Sequence, residues 1–176
     1  ITTEKDGIET TGSYTHLVVA NGHHWKPRYP NYPGEFTGEF IHSHHFKKAA
    51  PYEGKRVLVI GGGNSACDVA VETSRVSAQT AISWRRGYWI APKFFFGKPS
   101  DVIAQGTKWL PIKIRSRLNQ LLLKTYWGDY KNYGLRPITE PFGSTHPTIN
   151  DELFHKIRHG KVLPRMDIKQ FEGKKV

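Results

Sequence analysis

The clearest pattern of hydrophobic positions lies near the middle of the chain. A continuous apolar run over Arg56–Ile60 precedes three glycines at 61–63 and a helical pattern over residues 64–76. A second run, rich in β-forming residues, follows at 80–84. A continuous apolar run is typical of a strand buried on both faces of a parallel sheet. Strand, glycine turn, helix and strand in this order predict a βαβ unit.

The segments before this unit are mostly polar. Residues 1–22 predict a polar hairpin that leads into a strand at 15–20 (THLVVA). Residues 23–35 hold three prolines, which lack the backbone N–H that a helix or a central strand needs. These residues therefore predict an extended surface linker. Residues 36–54 hold a short apolar stretch and then a histidine-rich turn.

The segments after the unit predict one amphipathic helix between two loop-like regions. Residues 86–110 are irregular and aromatic, and residues 128–150 also have the composition of loops. Residues 112–124 have the spacing of an amphipathic helix. Its apolar residues fall on one helical face and are expected to pack inward; they are Ile114, Leu118, Leu121 and Leu122.

The last part of the chain predicts a helix over 151–159 that ends at Gly160. Two short strands are predicted at 161–163 and 168–171. Strands that alternate with helices along the chain indicate the α/β class.

Composition narrows the class of protein. The chain has 176 residues, of which 38% are hydrophobic and 23% charged, so a disordered or fibrous chain is excluded. The first residue is Ile1, the one methionine is Met166, and the polar start is unlike a signal peptide. We therefore expect the sequence to be a piece of a longer protein.

The net charge of +11 raises the hypothesis of a nucleic-acid partner. Aromatic residues near 88–96 lie among basic ones, as on a stacking surface. No nucleic-acid-binding motif accompanies them, and a phosphate-rich cofactor or an acidic adjoining domain would also account for a basic chain. We expect no nucleic-acid partner.

The glycine turn carries the strongest candidate chemistry. Gly61-x-Gly63-x-x-Ala66 is a dinucleotide fingerprint with alanine at the third position. Gly61 allows the tight turn, Gly63 lets a pyrophosphate approach the backbone, and Ala66 allows close packing of helix on strand. Asn64 or Ser65 is expected to be the N-cap of the helix, and both offer side-chain donors to phosphate.

The residues after the second strand indicate which dinucleotide is bound. NAD-binding units carry an acidic residue there, which accepts a hydrogen bond from the ribose 2′-hydroxyl. This chain has Arg85 and Arg86 instead, and two guanidinium groups suit a 2′-phosphate. The pair therefore predicts NADPH rather than NADH.

Cysteine and histidine predict no metal site. The single cysteine, Cys67, excludes an internal disulfide and a cysteine-based zinc site, and we interpret it as a small packed residue. Five clustered histidines match no metal-binding spacing; they are His23, His24, His42, His44 and His45.

Several motifs together resemble the flavin-containing monooxygenases, and the resemblance covers nearly the whole chain. Phe36-x-Gly38-x-x-x-His42-x-x-x-Phe46 has the spacing of the motif that identifies that family, and the turn at 61–68 (GGGNSACD) resembles its NADPH turn. Residues 21–24 and the prolines after them resemble its interdomain linker. Two downstream segments are also similar, 133–135 (YGL) and 146–151 (HPTIND).

The resemblance implies an α/β protein, with a Rossmann-type NADPH-binding domain that contains a helical insertion at about 98–130, plus fragments of an adjoining FAD domain. Residues 1–50 would be part of the FAD domain and the linker, 51–150 the NADPH-binding domain, and 151–176 the start of the return to the FAD domain. The missing FAD-domain segments of the same chain would complete the protein.

The resemblance also implies an activity. NADPH reduces bound FAD, which takes up O₂ as a C4a-hydroperoxide, and one oxygen passes to a soft nitrogen or sulfur centre of a small-molecule substrate. The cofactor-binding residues carried over are Gly61, Gly63, Asn64, Ser65, Arg85 and Arg86. The identifying motif is carried over as Phe36, Gly38, His42 and Phe46, and no catalytic residue is assigned.

Alternative functions stay open. Baeyer–Villiger monooxygenases resemble the same motif but carry Trp where Phe46 stands, and Phe46-Lys47 matches the heteroatom oxygenases. A relative of the disulfide reductases would need a second cysteine beside Cys67. A non-catalytic NADPH-binding module would keep the glycine fingerprint alone, and a basic nucleic-acid or membrane binder would bind no cofactor.

The predicted helix at 112–124 also bears on location. Basic residues flank its apolar face, so it has the character of a helix that lies on an anionic membrane. Packing within the protein explains the same pattern, and we favour it. The expected location is cytoplasmic or peripheral to an intracellular membrane.

Overall fold

An antiparallel hairpin begins the computed structural model, which describes residues 1–22 and 25–176. Strand β1 (Thr2–Lys5) pairs with β2 (Ile8–Thr11), as the polar pattern predicts. Asp6 and Gly7 both have positive φ angles, 54° and 77°, which suits a tight two-residue hairpin turn.

The strand predicted at 15–20 is wrong. No part of the described chain pairs with these residues, and Val18 is 84% exposed. A strand needs a neighbouring strand to satisfy its backbone N–H and C=O groups, so a β-forming sequence alone does not produce one.

The linker prediction holds over residues 25–33, which contain no helix or strand. Its first residues, His23 and His24, lie outside the described residues. Its last residues belong to the short strand β3 (Gly34–Phe36). The histidine-rich turn is a 3₁₀ turn at Ser43–His45.

The predicted βαβ unit is confirmed. Strand β4 (Arg56–Ile60) leads through the glycines to helix α1 (Asn64–Thr73) and then to β5 (Gln79–Ser83). The two strands are parallel, with Arg56 opposite Gln79 and Ile60 opposite Ser83. Only Val59 of β4 is buried, so the expectation of burial on both faces is wrong. Within the described residues, β4 is an edge strand of its sheet.

The region after β5 is only partly irregular. It contains three two-residue strands, β6 (Ile90–Ala91), β7 (Phe94–Phe95) and β8 (Lys98–Pro99). Helix α2 (Ser100–Gly106) follows, within the helical insertion expected at about 98–130 although its sequence was interpreted as irregular, and α3 (Ile112–Trp127) extends the predicted amphipathic helix by one turn.

The expected inward face of α3 is wrong. Leu123 and Trp127 are buried, whereas Ile114, Leu118 and Leu121 are exposed. Trp127 lies beyond the predicted end of the helix, packs its ring 4.6 Å from that of Phe154 and donates a hydrogen bond to the carbonyl of Ile90. This large side chain in the last turn determines which face of α3 packs inward.

The remaining elements complete three parallel pairings. After a 3₁₀ turn at Tyr130–Tyr133 come β9 (Thr148–Ile149), α4 (Leu153–Arg158), β10 (Val162–Arg165) and β11 (Phe171–Gly173). The helix that ends before Gly160 and the two short strands are confirmed, with bounds shifted by a few residues. Strand β9 pairs with β6, and β11 pairs with β3.

The central sheet is parallel and has the order β10-β5-β4. Helices α1 and α4 pack on it, and each contacts the other. The core between them is apolar and includes Cys67, Val71, Ile82, Phe154 and Val162. The molecule is therefore a mixed α/β structure, and in the part described no helix has the length and apolarity needed to cross a bilayer.

Candidate functional site

The glycine turn leaves β4 at its carboxyl end, where Gly61 donates its N–H to the carbonyl of Ser83 at 3.0 Å. The φ angle of Gly61 is +125°, a conformation that a side chain would strain. A Cβ atom at this position would lie 3.6 Å from the Cβ of Ala66. The first glycine and the small third residue of the fingerprint thus stand at a tight turn and a close helix–strand contact.

The two glycines that follow have different surroundings. A Cβ atom on Gly63 would meet no heavy atom within 4 Å among the described residues, so this side of the turn is open. A Cβ atom on Gly62 would overlap the ring of Tyr88, because that ring lies directly on the glycine. An approaching ligand therefore has access to the backbone at Gly63.

Helix α1 begins without a side-chain cap. Its N-cap residue is Gly63, so the expectation that Asn64 or Ser65 fills this position is wrong. Both are exposed residues of the first helical turn. The side-chain oxygen of Asn64 instead accepts a hydrogen bond from the backbone N–H of Ile149, at 2.7 Å. The first N–H groups of an uncapped helix start are available to an anion.

The arginine pair lies just beyond the carboxyl end of β5, and both residues are exposed. Arg86 forms an ion pair with Glu140 at 3.2 Å, and its guanidinium lies 5.3 Å from the centre of the Tyr88 ring. Arg85 forms no salt bridge with any residue that the structure describes. Of the two, Arg85 is the one available to an anionic ligand.

A tyrosine of the linker lies at the same edge of the sheet as Arg85. The hydroxyl of Tyr32 donates to a carboxylate oxygen of Asp167 at 3.0 Å. Burial raises the pKa of Tyr32, the hydrogen bond and charge of Asp167 raise it further, and the charge of Arg85 opposes them. The linker is thus attached close to the arginine pair.

The motif residues lie in an aromatic region that faces β4 and α1. The ring of Phe36 lies 5.7 Å from that of Phe171, and a Cβ atom on Gly38 would lie 2.5 Å from the Phe36 ring. His42 accepts a hydrogen bond from the N–H of His44, and Phe46 stacks on Tyr52. The four motif residues line one open cavity of about 1470 Å³, together with β4 and the α1 residues Ala66 and Val69.

Cys67 is a packed core residue, as interpreted from the sequence. It is fully buried in α1, and burial, followed by the charge of Asp68, raises the pKa of its thiol to about 12. Across residues 1–22 and 25–176, no group of three or more His, Cys, Asp or Glu side chains is placed to hold a metal ion.

Two features next to the glycine turn were missed. Tyr88 covers Gly62, and residues Thr148, Ile149 and Asn150 donate hydrogen bonds to the turn and to α1. These residues are far from the glycines in sequence, and no spacing rule connects them. The only signal was their place in the downstream segment that resembles the family.

Parallel strands, with a glycine turn and a helix start at their carboxyl edge, place the chain in the α/β class. The chain belongs to the flavin-binding monooxygenase-like family, whose pattern matches residues 1–176.

Three relatives illustrate the similarity. Flavin-containing monooxygenase 5 of Rattus norvegicus is 34% identical over 181 residues, which cover 97% of this chain and 34% of that protein. Flavin-containing monooxygenase 3 of Homo sapiens is 35% identical over 182 residues, with the same coverage. N-oxide-forming dimethylaniline monooxygenase 2 of Oryctolagus cuniculus is 32% identical over 182 residues, again with the same coverage. The chain therefore spans about a third of the length of these relatives, which are enzymes.

Proposed function

We propose that this chain provides the NADPH-binding domain of an FAD- and NADPH-dependent monooxygenase, which oxygenates a soft nitrogen or sulfur centre of a small molecule. The observation that carries the proposal is the open backbone at Gly63, at the start of an uncapped helix, with Arg85 at the end of the next parallel strand. This arrangement suits a pyrophosphate and a 2′-phosphate in a Rossmann-type domain. Membership of the family supports the monooxygenase activity.

In this proposal, the residues of the glycine turn and of the arginine pair bind different groups of NADPH. Gly61 turns the chain, Gly63 leaves room for the pyrophosphate, and the first N–H groups of α1 donate to it. Asn64 and Ser65 add side-chain donors. Arg85 pairs with the 2′-phosphate, and Arg86, held by Glu140, adds positive charge nearby.

The flavin belongs to the rest of the proposed enzyme. FAD, when bound, supplies the oxygen-transfer chemistry expected from the resemblance, with NADPH as the reductant. Residues 1–50 and the segment after β10 belong to its domain in this proposal, and the pairing of β3 with β11 supports their association. The expected domain boundary at 150 is shifted, because β10 pairs with β5 in the central sheet and α4 packs on α1. This chain's own contribution is to bind and orient the nucleotide.

The decisive experiment follows NADPH, O₂ and product in the flavin-loaded whole protein. We expect NADPH to bleach the flavin absorbance and an amine or sulfide to be oxygenated with equal consumption of NADPH and O₂. Conversion of a ketone to an ester would favour the Baeyer–Villiger alternative. NADPH binding without flavin reduction would favour a non-catalytic module.

We also propose that the protein makes a peripheral contact with an anionic membrane. The exposed face of α3 supports this second proposal. Leu121 is 61% exposed and Trp109, just before the helix, is 81% exposed. Five basic residues and no acidic residue lie between positions 102 and 128. Apolar and aromatic side chains with a basic border suit the interface of an anionic bilayer.

Vesicle sedimentation tests this contact. We expect the protein to bind vesicles with about a third phosphatidylserine more tightly than vesicles of phosphatidylcholine alone. Leu121→Ser and Lys124→Glu should each weaken binding, whereas Val18→Ser, at another exposed apolar position outside α3, should not. Equal binding by all variants would contradict the proposal.

A further inference from the structure

The short strand β9 and the residue after it lie between β6 and the glycine turn. We call Thr148, Ile149 and Asn150 the turn brace. The brace is held on one side by two backbone hydrogen bonds, from the N–H of Thr148 to Trp89 and from that of Asn150 to Ala91. Its remaining donors point to the turn and to α1.

Thr148 fixes the middle of the turn. Its side chain is 3% exposed, and its hydroxyl donates to the carbonyl of Gly62 at 2.7 Å. Gly62 is also covered by the Tyr88 ring. The same carbonyl accepts a weaker contact from the thiol of Cys67, with the sulfur at 3.8 Å, so the hydroxyl of Thr148 is the stronger of the two donors that fix the peptide preceding Gly63.

Ile149 fixes the side chain of Asn64. Its backbone N–H donates to Asn64 Oδ1 at 2.7 Å. When the oxygen of an amide side chain accepts a hydrogen bond, the NH₂ group of that side chain still offers two donors. Nδ2 of Asn64, which has no acceptor among the described residues, is thereby available beside the open start of α1.

Asn150 joins the turn helix to the next helix. It is 4% exposed, and its Nδ2 donates to Asp68 of α1 at 2.9 Å. Its Oδ1 accepts from the N–H groups of Glu152 and Leu153, at 3.0 and 2.7 Å, where α4 begins. One side chain therefore fixes the spacing between α1 and α4.

We propose that the turn brace is a positioning element for the bound nucleotide, because it holds the Gly62 peptide, the Asn64 amide and the start of α1 in the geometry that accepts a pyrophosphate. The inference rests on the proposed function. A preorganised turn binds its ligand without first having to become ordered, so loss of the brace should weaken binding.

The test combines calorimetric titration with NADP⁺ and amide hydrogen exchange on the full chain. Thr148→Val removes the hydroxyl and keeps the shape of the side chain, whereas Thr148→Ser keeps the hydroxyl and removes the methyl group. The matched control is Thr80→Val, because Thr80 is equally buried and its hydroxyl contacts Ser77 and Thr73, at the end of α1 that is remote from the turn. We expect Thr148→Val to weaken NADP⁺ about tenfold and to accelerate exchange over residues 67–71. Thr148→Ser should recover most of both, and Thr80→Val should change neither.

Each outcome has a distinct meaning. Wild-type affinity in Thr148→Val overturns the positioning role, even if the variant is less stable. Unchanged exchange at residues 67–71 overturns the brace itself, whether or not a nucleotide binds. A wild-type chain that does not bind NADP⁺ contradicts the proposed function and the positioning role together, and the exchange data then still report on the contact.

Discussion

Arg85 and Arg86 are adjacent in sequence but have different surroundings. Arg86 is paired with Glu140 and lies over Tyr88, whereas Arg85 is exposed and has no ion-pair partner among the described residues. A guanidinium already engaged by a carboxylate gains less from a phosphate than a free one does. Arg85 is therefore the stronger candidate of the two for the proposed contact with a 2′-phosphate.

Substitution of Arg85 should separate the two nicotinamide cofactors. We expect Arg85→Ala to weaken NADP⁺ by at least about tenfold, the loss of one charged hydrogen bond, and to leave NAD⁺ nearly unchanged. Arg86→Ala serves as the comparison and should have a smaller effect. Calorimetry with both nucleotides measures this, and equal losses of NADP⁺ and NAD⁺ affinity would contradict the assigned role.

The buried thiol of Cys67 gives a prediction for alkaline pH. Its pKa is raised to about 12, so the folded state holds this proton more tightly than the unfolded state does. Its contribution to stability is complete below the unfolded pKa of about 9 and is lost as the pH rises through about 12. We expect Cys67→Ala to lose less stability than wild type between about pH 8 and about pH 10 in urea unfolding. An identical loss in both proteins would show that the thiol does not titrate as described.

At the scale of elements, the glycine turn contains one closely packed position, Gly62, and one open position, Gly63. Gly63 has φ −80° and ψ 176°, which alanine adopts readily, and its Cβ would meet open space. We expect Gly63→Ala to keep its melting temperature and to lose most of its NADP⁺ affinity, because the methyl group occupies the path of the pyrophosphate.

The comparison is Gly62→Ala, whose Cβ would overlap the Tyr88 ring. This variant should be destabilised by about 1–3 kcal/mol, the usual effect of overpacking. Thermal unfolding and nucleotide titration of both variants make the test. Normal NADP⁺ binding by Gly63→Ala would show that the pyrophosphate does not bind at Gly63.

Helix α3 provides a matched pair of leucines on opposite faces. Leu123 is 2% exposed and packs in the core, whereas Leu121 faces out. We expect Leu123→Ala to lower the free energy of unfolding by about 2–5 kcal/mol, and Leu121→Ala to change it by less than about 0.5 kcal/mol. Similar effects at both positions in denaturant unfolding would mean that the outer face is also packed.

At the scale of the whole molecule, the sequence predicted local order better than long-range contacts. The βαβ unit was predictable because its hydrophobic pattern, its glycines and the start of its helix all lie within one short segment. The inward face of α3 was not, because its apolar residues occupy two faces and Trp127 determines which one packs. The prediction of a strand at 15–20 was wrong for a related reason, since the pairing of a strand depends on residues elsewhere in the chain.

The candidate site shows the same division. Gly61, Gly63 and Ala66 could be placed from their spacing alone, and the start of α1 differs only in its cap residue. The turn brace and Tyr88 could not be placed, because they reach the turn through tertiary packing from distant segments. The family match extends over residues 1–176 and therefore includes these distant segments as well as the glycine turn.

The central claim is that this chain binds NADPH at the glycine turn, and titration of the chain with NADP⁺ and with NAD⁺ at two salt concentrations tests it most directly. We predict tighter binding of NADP⁺ than of NAD⁺, with a preference that decreases at high salt because it depends on a charge pair with the 2′-phosphate. Equal affinity for the two nucleotides, or no NADP⁺ binding by a folded chain, would contradict it.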